Sequence, residues 1–382
     1  MKFLTAVLAL AGCASVSEPA GLAPPGLAVT STGGVRVIGP DFEMDFAPTG
    51  LHLPNHLTVS NGLVELLGVD GCAAESLVGY GVTPAVSAAA DLTGPGLRSE
   101  ITTPLAGPAV VKVHVTFEVD YLCPAKQTMA GAVDFTVFPS GRVVREDLAV
   151  TPSTSHLIKA GSCGCQQTTV PTDFSDLHFT SYWAFQPSGA TQVQASGVAV
   201  TEDVFAACTM YPQRAIGVSW NKVDGSGTAT RFHANVAASH ILDWPTTPDR
   251  STIDPVRQSM TSAIQISNTP PVAMSDCGKI LDRLADVPLQ IGDTVFDYSD
   301  HDGIYRDPAR HGAAFTIAAT TAAVPAGFAV SVDLGGASHA TFTRRPAAVP
   351  VGLVQREAGD RFLIVFTDGL APGEAIAVEP RR

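Results

Sequence analysis

Val111–Tyr121, VKVHVTFEVDY, decides the fold of this chain. Val111, Val113, Val115, Phe117, Val119 and Tyr121 alternate with Lys112, His114, Thr116, Glu118 and Asp120. A period of two sends successive side chains to opposite faces, so this run predicts a long strand with one buried and one wet face. Downstream, Val133, Phe135 and Val137 lead into Pro139-Ser140-Gly141 and then Arg142–Val150, which predicts a hairpin around a short Gly-containing turn. Upstream, Phe42, Met44 and Phe46 alternate with Glu43 and Asp45. The hairpin pattern recurs at Leu177–Phe185, Pro187-Ser188-Gly189 and Gln192–Val200. Ala215–Asn221 and Thr228–Val236 read as partners across Asp224-Gly225-Ser226-Gly227. Asp254–Ile266 fits a helix or a strand, and Ser275 is placed to cap a short helix over Asp276–Leu284. Long amphipathic helices and glycine-rich strand-to-helix turns are absent, which argues against Rossmann-type and barrel α/β folds.

A second block begins near Val287, with the boundary at about residues 285–290. Phe315–Ala319, Ala329–Leu334, Ala340–Thr343, Gly352–Arg356, Phe362–Thr367 and Ala375–Glu379 are short strand candidates separated by Gly-containing turns. The expectation is an all-β chain: a large antiparallel β-sandwich over 35–284 and a small immunoglobulin-like sandwich over 288–382. Phe42–Gly62 (FEMDFAPTGLHLPNHLTVSNG) and Phe135–Asp147 (FTVFPSGRVVRED) give the larger block an organisation that resembles the galactose-mutarotase-like supersandwich of sugar epimerases and polysaccharide lyases. A jelly roll fits the same pattern.

The chain has 382 residues, of which 45% are hydrophobic and 15% charged, enough apolar material for a sizeable core. Its formal net charge of −13 repels phosphate backbones, so nucleic acid is not an expected partner. The same charge disfavours polyanionic glycans unless a local Arg cleft overrides it. At the N-terminus, Lys2 precedes an apolar run from Phe3 to Leu10, too short to span a bilayer. Leu10-Ala11-Gly12-Cys13 resembles the lipobox of a bacterial lipoprotein. That resemblance implies cleavage after a signal peptide of residues 1–12, acylation of Cys13, and a tether over 13–34 rich in Pro, Gly, Ser and Ala. It places the chain in the bacterial envelope, lipid-anchored to the outer membrane. Cys72, Cys123, Cys163, Cys165, Cys208 and Cys277 then form an even set, as a disulfide framework requires in an exported chain. A thiolate metal site on Cys163 and Cys165 is the alternative, although zinc sites usually repeat such a pair.

No GxSxG elbow, HExxH helix or phosphate-cradling loop is present. The candidates for chemistry are scattered. His52 and His56 lie four apart, on one side of an extended chain, and suit proton abstraction. Arg142 and Arg145 follow the Pro139-Ser140-Gly141 turn and read as a carboxylate grip or as the wet face of a strand. Tyr211, Gln213 and Arg214, with Trp183, Trp220 and Trp244, suit a sugar site, because flat rings stack on pyranose faces and amides bond hydroxyls. Asp300, Asp302 and Asp307 surround Gly303 and are candidate Ca²⁺ ligands, although EF-hand spacing fails there; otherwise they form a solvated turn. Two functions remain open: a non-catalytic lipoprotein that binds carbohydrate or an envelope partner, and a carbohydrate-active enzyme of the polysaccharide lyase or epimerase type. A third is an adhesion or assembly role in which the C-terminal module docks another envelope protein.

Overall fold

In the computed structural model, the residues described are 26–31, 34–50, 52, 54–59, 64–65, 97–122, 126–150, 159–162, 166–169, 182–185, 191–194, 206–209, 215–224, 231–234, 240–243, 257–267, 275–276, 279, 289–291, 294–319, 323–324, 326–345, 349–350, 352–366 and 368–381. Most of them are in strands, as the period-two patterning predicts. The first five strands are β1 (Ala28–Thr30), β2 (Arg36–Ile38), β3 (Phe42–Phe46), β4 (Pro54–Val59) and β5 (Val64–Glu65). They form one antiparallel meander. Across β2 and β3, Arg36 stands opposite Asp45 and donates to its carboxylate from Nε at 2.5 Å and from a terminal nitrogen at 2.6 Å.

The central sheet starts with β6 (Leu97–Leu105), β7 (Val111–Leu122), β8 (Lys126–Val137) and β9 (Arg142–Val150). After a separate hairpin, β10 (Lys159–Ser162) and β11 (Gln166–Thr169), it continues with β12 (Tyr182–Phe185), β13 (Thr191–Gln194), β14 (Ala206–Thr209) and β15 (Ala215–Asp224). A second hairpin pairs β16 (Arg231–Ala234) with β17 (His240–Asp243). Strand β18 (Arg257–Ser267) completes nine strands in the order β13-β12-β14-β15-β18-β9-β8-β7-β6. The hairpin at Pro139-Ser140-Gly141 forms as expected, with Val137 opposite Val143. The ambiguous segment before Ile266 is a strand because it fills the gap between β9 and β15. The expected pairing of Ala215–Asn221 with Thr228–Val236 does not occur. Both sides of β15 are taken, by β14 and β18, and the second segment pairs with β17 instead. The expected helix falls mostly outside the described residues; Ser275, Asp276 and Lys279 have helical backbone.

The C-terminal part is a sandwich. One sheet runs β20 (Thr294–Val295), β19 (Leu289–Ile291), β23 (Phe315–Ala319), β29 (Ala375–Arg381), β25 (His339–Arg345) and β26 (Val349–Pro350). The other runs β21 (Asp297–Ser299), β22 (Ile304–Arg310), β24 (Ala329–Asp333), β28 (Arg361–Phe366) and β27 (Gly352–Arg356), with β22 and β24 parallel. Phe328 stacks on Phe366 at 4.3 Å between centroids inside a core that includes Ile317, Val330, Val332, Ile364, Ile376 and Val378.

Around β8 and β9 the central sheet is buried from both sides. On one face, Phe46 of β3 meets Phe135 of β8 edge to face at 5.2 Å. Val113, Phe135 and Arg145 are cross-strand neighbours, so all three point toward the N-terminal sheet. On the other face, Val144 and Ala263 pack with Ala109, Val110 and Phe138 against Ile304, Ala329, Leu353, Leu363 and Val365 of the C-terminal sandwich. The seam is tight. Gly303 has φ +68°, and a Cβ there would lie 2.6 Å from Val144 Cγ2. Gly359 has nearly the same backbone, φ +71°, with nothing within 4 Å. Gly303→Ala is therefore expected to cost about 2–4 kcal/mol, combining left-handed strain with overpacking. Gly359→Ala should carry only the strain, about 1–2 kcal/mol. Urea denaturation of both variants measures the difference, and equal losses would mean the seam is not closed at Gly303.

Candidate functional site

Register decides where the polar residues of Val111–Tyr121 go. Lys112, His114, Thr116 and Glu118 share the face of the central sheet that carries the C-terminal sandwich. The sandwich covers only part of that face. At its border, Lys112 Nζ donates to Asp302 Oδ2 at 2.8 Å. Arg306 donates to the same oxygen and lies 3.5 Å from Glu357. Asp302 is buried, which pushes its carboxyl pKa up, but Lys112 and Arg306, with a hydrogen bond from Ser299, outweigh burial and hold it below the ordinary carboxylate value. Next to it, Glu146 accepts from His301 Nδ1 at 2.7 Å, and Gln355 Oε1 accepts from the backbone N–H groups of Ala109 and Val110 at 3.0 and 2.9 Å.

Beyond the sandwich, the same face stays open as a groove of about 380 Å³. Its lining comes from β6 (Arg98, Ser99, Glu100), β7 (Thr116, Phe117, Glu118) and β8 (Ala130, Gly131). The local sequence explains the hollow. Ala130 stands opposite Glu118 and Gly131 opposite Phe117, so β8 presents nothing longer than a methyl beside the long side chains of β6 and β7. Arg98 stands opposite Glu118 and donates from Nε to its carboxylate at 2.7 Å. Glu100 stands opposite Thr116 and is exposed; among the described residues it has no ion-pair partner. Ser99 Oγ donates to the Thr116 carbonyl at 3.0 Å, pinning β6 to β7. Two residues along the same face of β7, His114 Nδ1 meets Asp134 Oδ1 at 2.7 Å.

The structure separates the residues that sequence reading groups. His52 precedes β4 with φ +30°, and its Nδ1–H donates to the Ala47 carbonyl at 2.7 Å, whereas His56 lies within β4 opposite Asp45. Both belong to the N-terminal sheet. Arg142 lies on the other side of the central sheet, buried in the seam, where it donates to the Tyr298 hydroxyl and its Nε has no partner. Arg145 is 1% exposed and faces the N-terminal sheet, its guanidinium 5.7 Å from the ring centroid of Phe135. The two arginines are neither a grip nor a wet face: three residues apart on a strand, they must point to opposite sides. Asp302 and Asp307 face cations and imidazole, with His311 Nε2 on Asp307, while Asp300 is half-buried in the turn. Among the described residues no group of three or more His, Cys, Asp or Glu is arranged to hold a metal ion.

Trp183 and Trp220 are described by backbone alone: Trp183 stands opposite Cys208 on β14, and Trp220 opposite Ser262 on β18. Tyr211, Gln213, Arg214, Trp244, Cys13, Cys72, Cys123, Cys163, Cys165 and Cys277 lie outside the described residues. The groove residues on β6 were not singled out in the sequence. The signal was present: Arg98, Glu100 and Thr102 alternate with Ser99, Ile101 and Thr103. Ser99 and Thr103 on the inner side weaken that alternation.

No family model matches this chain, and no curated protein matches it. Among solved structures, it is similar to a heparinase III with methylated lysines, at 9% sequence identity and a TM-score of 0.29. The alignment covers 78% of this chain and 40% of that one, so this chain spans well under half the length of its structural neighbour.

Proposed function

We propose that this protein is a lipid-anchored, non-catalytic binding protein of the bacterial outer membrane, and that it takes its ligand in the groove between Arg98, Glu100, Thr116 and Glu118. The anchor rests on Leu10-Ala11-Gly12-Cys13. The groove carries the binding role: it is a concave, polar stretch of sheet that the C-terminal sandwich leaves open, lined by a guanidinium, carboxylates and hydroxyls. Such groups bond the hydroxyls of a sugar or the polar groups of an extended partner. Against a lyase or epimerase mechanism stands the scatter of the basic candidates, because proton abstraction beside a uronic acid needs His and Arg on one surface. The test is a glycan-array screen of the full-length protein, combined with ultraviolet detection of unsaturated sugars and with palmitate labelling of the wild type and Cys13→Ala. Binding without new products, with a label that Cys13→Ala abolishes, supports the proposal. Unsaturated products would replace it with the lyase reading, and a label independent of Cys13 would remove the anchor.

A further inference from the structure

Charge in the groove narrows the ligand. Among the described residues, the lining holds one guanidinium, Arg98, against two carboxylates, Glu100 and Glu118. Arg98 is already neutralised by Glu118 at 2.7 Å, so among the described residues the groove offers an anion no free cation, while Glu100 remains available. The arginines that would have made an anion cleft, Arg142 and Arg145, are buried on opposite faces of the sheet. Of the basic side chains described on this face, Lys112 and Arg306 are committed to Asp302, and His114 to Asp134. The whole chain adds a formal net charge of −13.

Resting on the binding role proposed above, we infer that the groove selects a short polyhydroxylated chain carrying an ammonium group, the chemistry of a glucosamine-type oligosaccharide, and rejects uronates. The ammonium sits on Glu100, and vicinal hydroxyls bond Thr116 Oγ1 and the outer oxygen of Glu118. A volume of about 380 Å³ accommodates a short segment rather than a long polymer. Hydroxyls alone would leave Glu100 without a charged partner, and a carboxylated sugar would meet it with like charge, which costs affinity.

The probes are the trisaccharides of glucosamine, N-acetylglucosamine and galacturonic acid, titrated calorimetrically into the full-length protein at low and high salt. The glucosamine trimer is expected to bind most tightly and to weaken at high salt, since the contact is exposed. Glu100→Gln should weaken it by about tenfold, the loss of one charge-assisted hydrogen bond. Glu118→Gln removes one of the two lining carboxylates and should raise affinity for the galacturonate trimer by easing like-charge repulsion. If the neutral or the galacturonate trimer binds the wild type as tightly as the glucosamine trimer, the charge inference fails while the binding role stands. If a lysine-rich peptide competes better than any sugar, the sugar assignment fails and the role of Glu100 survives. If no probe binds, both the inference and the groove as a binding site fail.

Discussion

Phe135→Ala will lower the unfolding free energy by about 3–5 kcal/mol, the usual cost of truncating a fully buried aromatic. Phe135 has no exposed surface and joins two sheets: it meets Phe46 of β3 at 5.2 Å and lies under the Arg145 guanidinium. Truncation leaves a cavity between the sheets and removes the aromatic surface beneath a buried cation. The loss should be local as well as global. Amide exchange in β3 and β4 should quicken more than in β24 or β28, which belong to the separate core around Phe328 and Phe366. Val295→Ala is the control, since Val295 is 55% exposed and its loss should change stability little. A loss under about 1 kcal/mol in Phe135→Ala would mean that the N-terminal sheet does not pack on the central sheet at this point.

Asp302→Ala should cost about 3–5 kcal/mol, nearer the lower figure because Lys112 and Arg306 keep some contact with water. Removing the carboxylate leaves Lys112 in the seam without its anion, facing an Arg306 that keeps Glu357. The pH dependence follows from the direction of the Asp302 shift. Its folded pKa lies below its unfolded value, so the unfolded chain takes up this proton first as pH falls. The stabilisation is complete above the unfolded carboxylate value of about 4 and is lost as pH drops below it through the folded value. Wild type and Asp302→Ala should therefore differ most at neutral pH and converge in acid, as read from thermal melts across that range. A constant difference down to strong acid would show that Asp302 acts through packing rather than charge.

The C-terminal sandwich is joined to the central sheet by more than this ion pair. The seam buries Ile304, Ala329, Leu363 and Val365, and it uses Gln355 to satisfy two backbone N–H groups ahead of β7. The polar face of β7 is thus divided between an interface and an open groove. Any ligand in the groove sits next to the border marked by His114, Asp134, Glu146 and His301.

Much of the architecture is legible in the residues themselves. VKVHVTFEVDY forms β7 along its whole length, the turn at Pro139-Ser140-Gly141 closes the β8–β9 hairpin, and the six short candidates after Phe315 are all strands. Period-two patterning and turn residues act within a few positions, so a sequence displays them directly. Which strands become neighbours is another matter. The expected pairing of Ala215–Asn221 with Thr228–Val236 failed because β18, more than thirty residues away, occupies that edge of β15. Parity already separates Arg142 from Arg145, since residues three apart on a strand face opposite ways. Parity does not say that both faces are covered. Only the stacking of the N-terminal sheet on one side and the C-terminal sandwich on the other buries both arginines. The wet face of β7 is likewise legible as polarity, but Lys112 is an interface cation and Glu118 lines a groove. The sequence by itself determined the strands, their inner and outer faces and the all-β class, because those follow from local alternation. The tertiary structure alone decided which polar face meets another sheet, which stays open and which charges cancel, because each depends on residues brought together from distant parts of the chain.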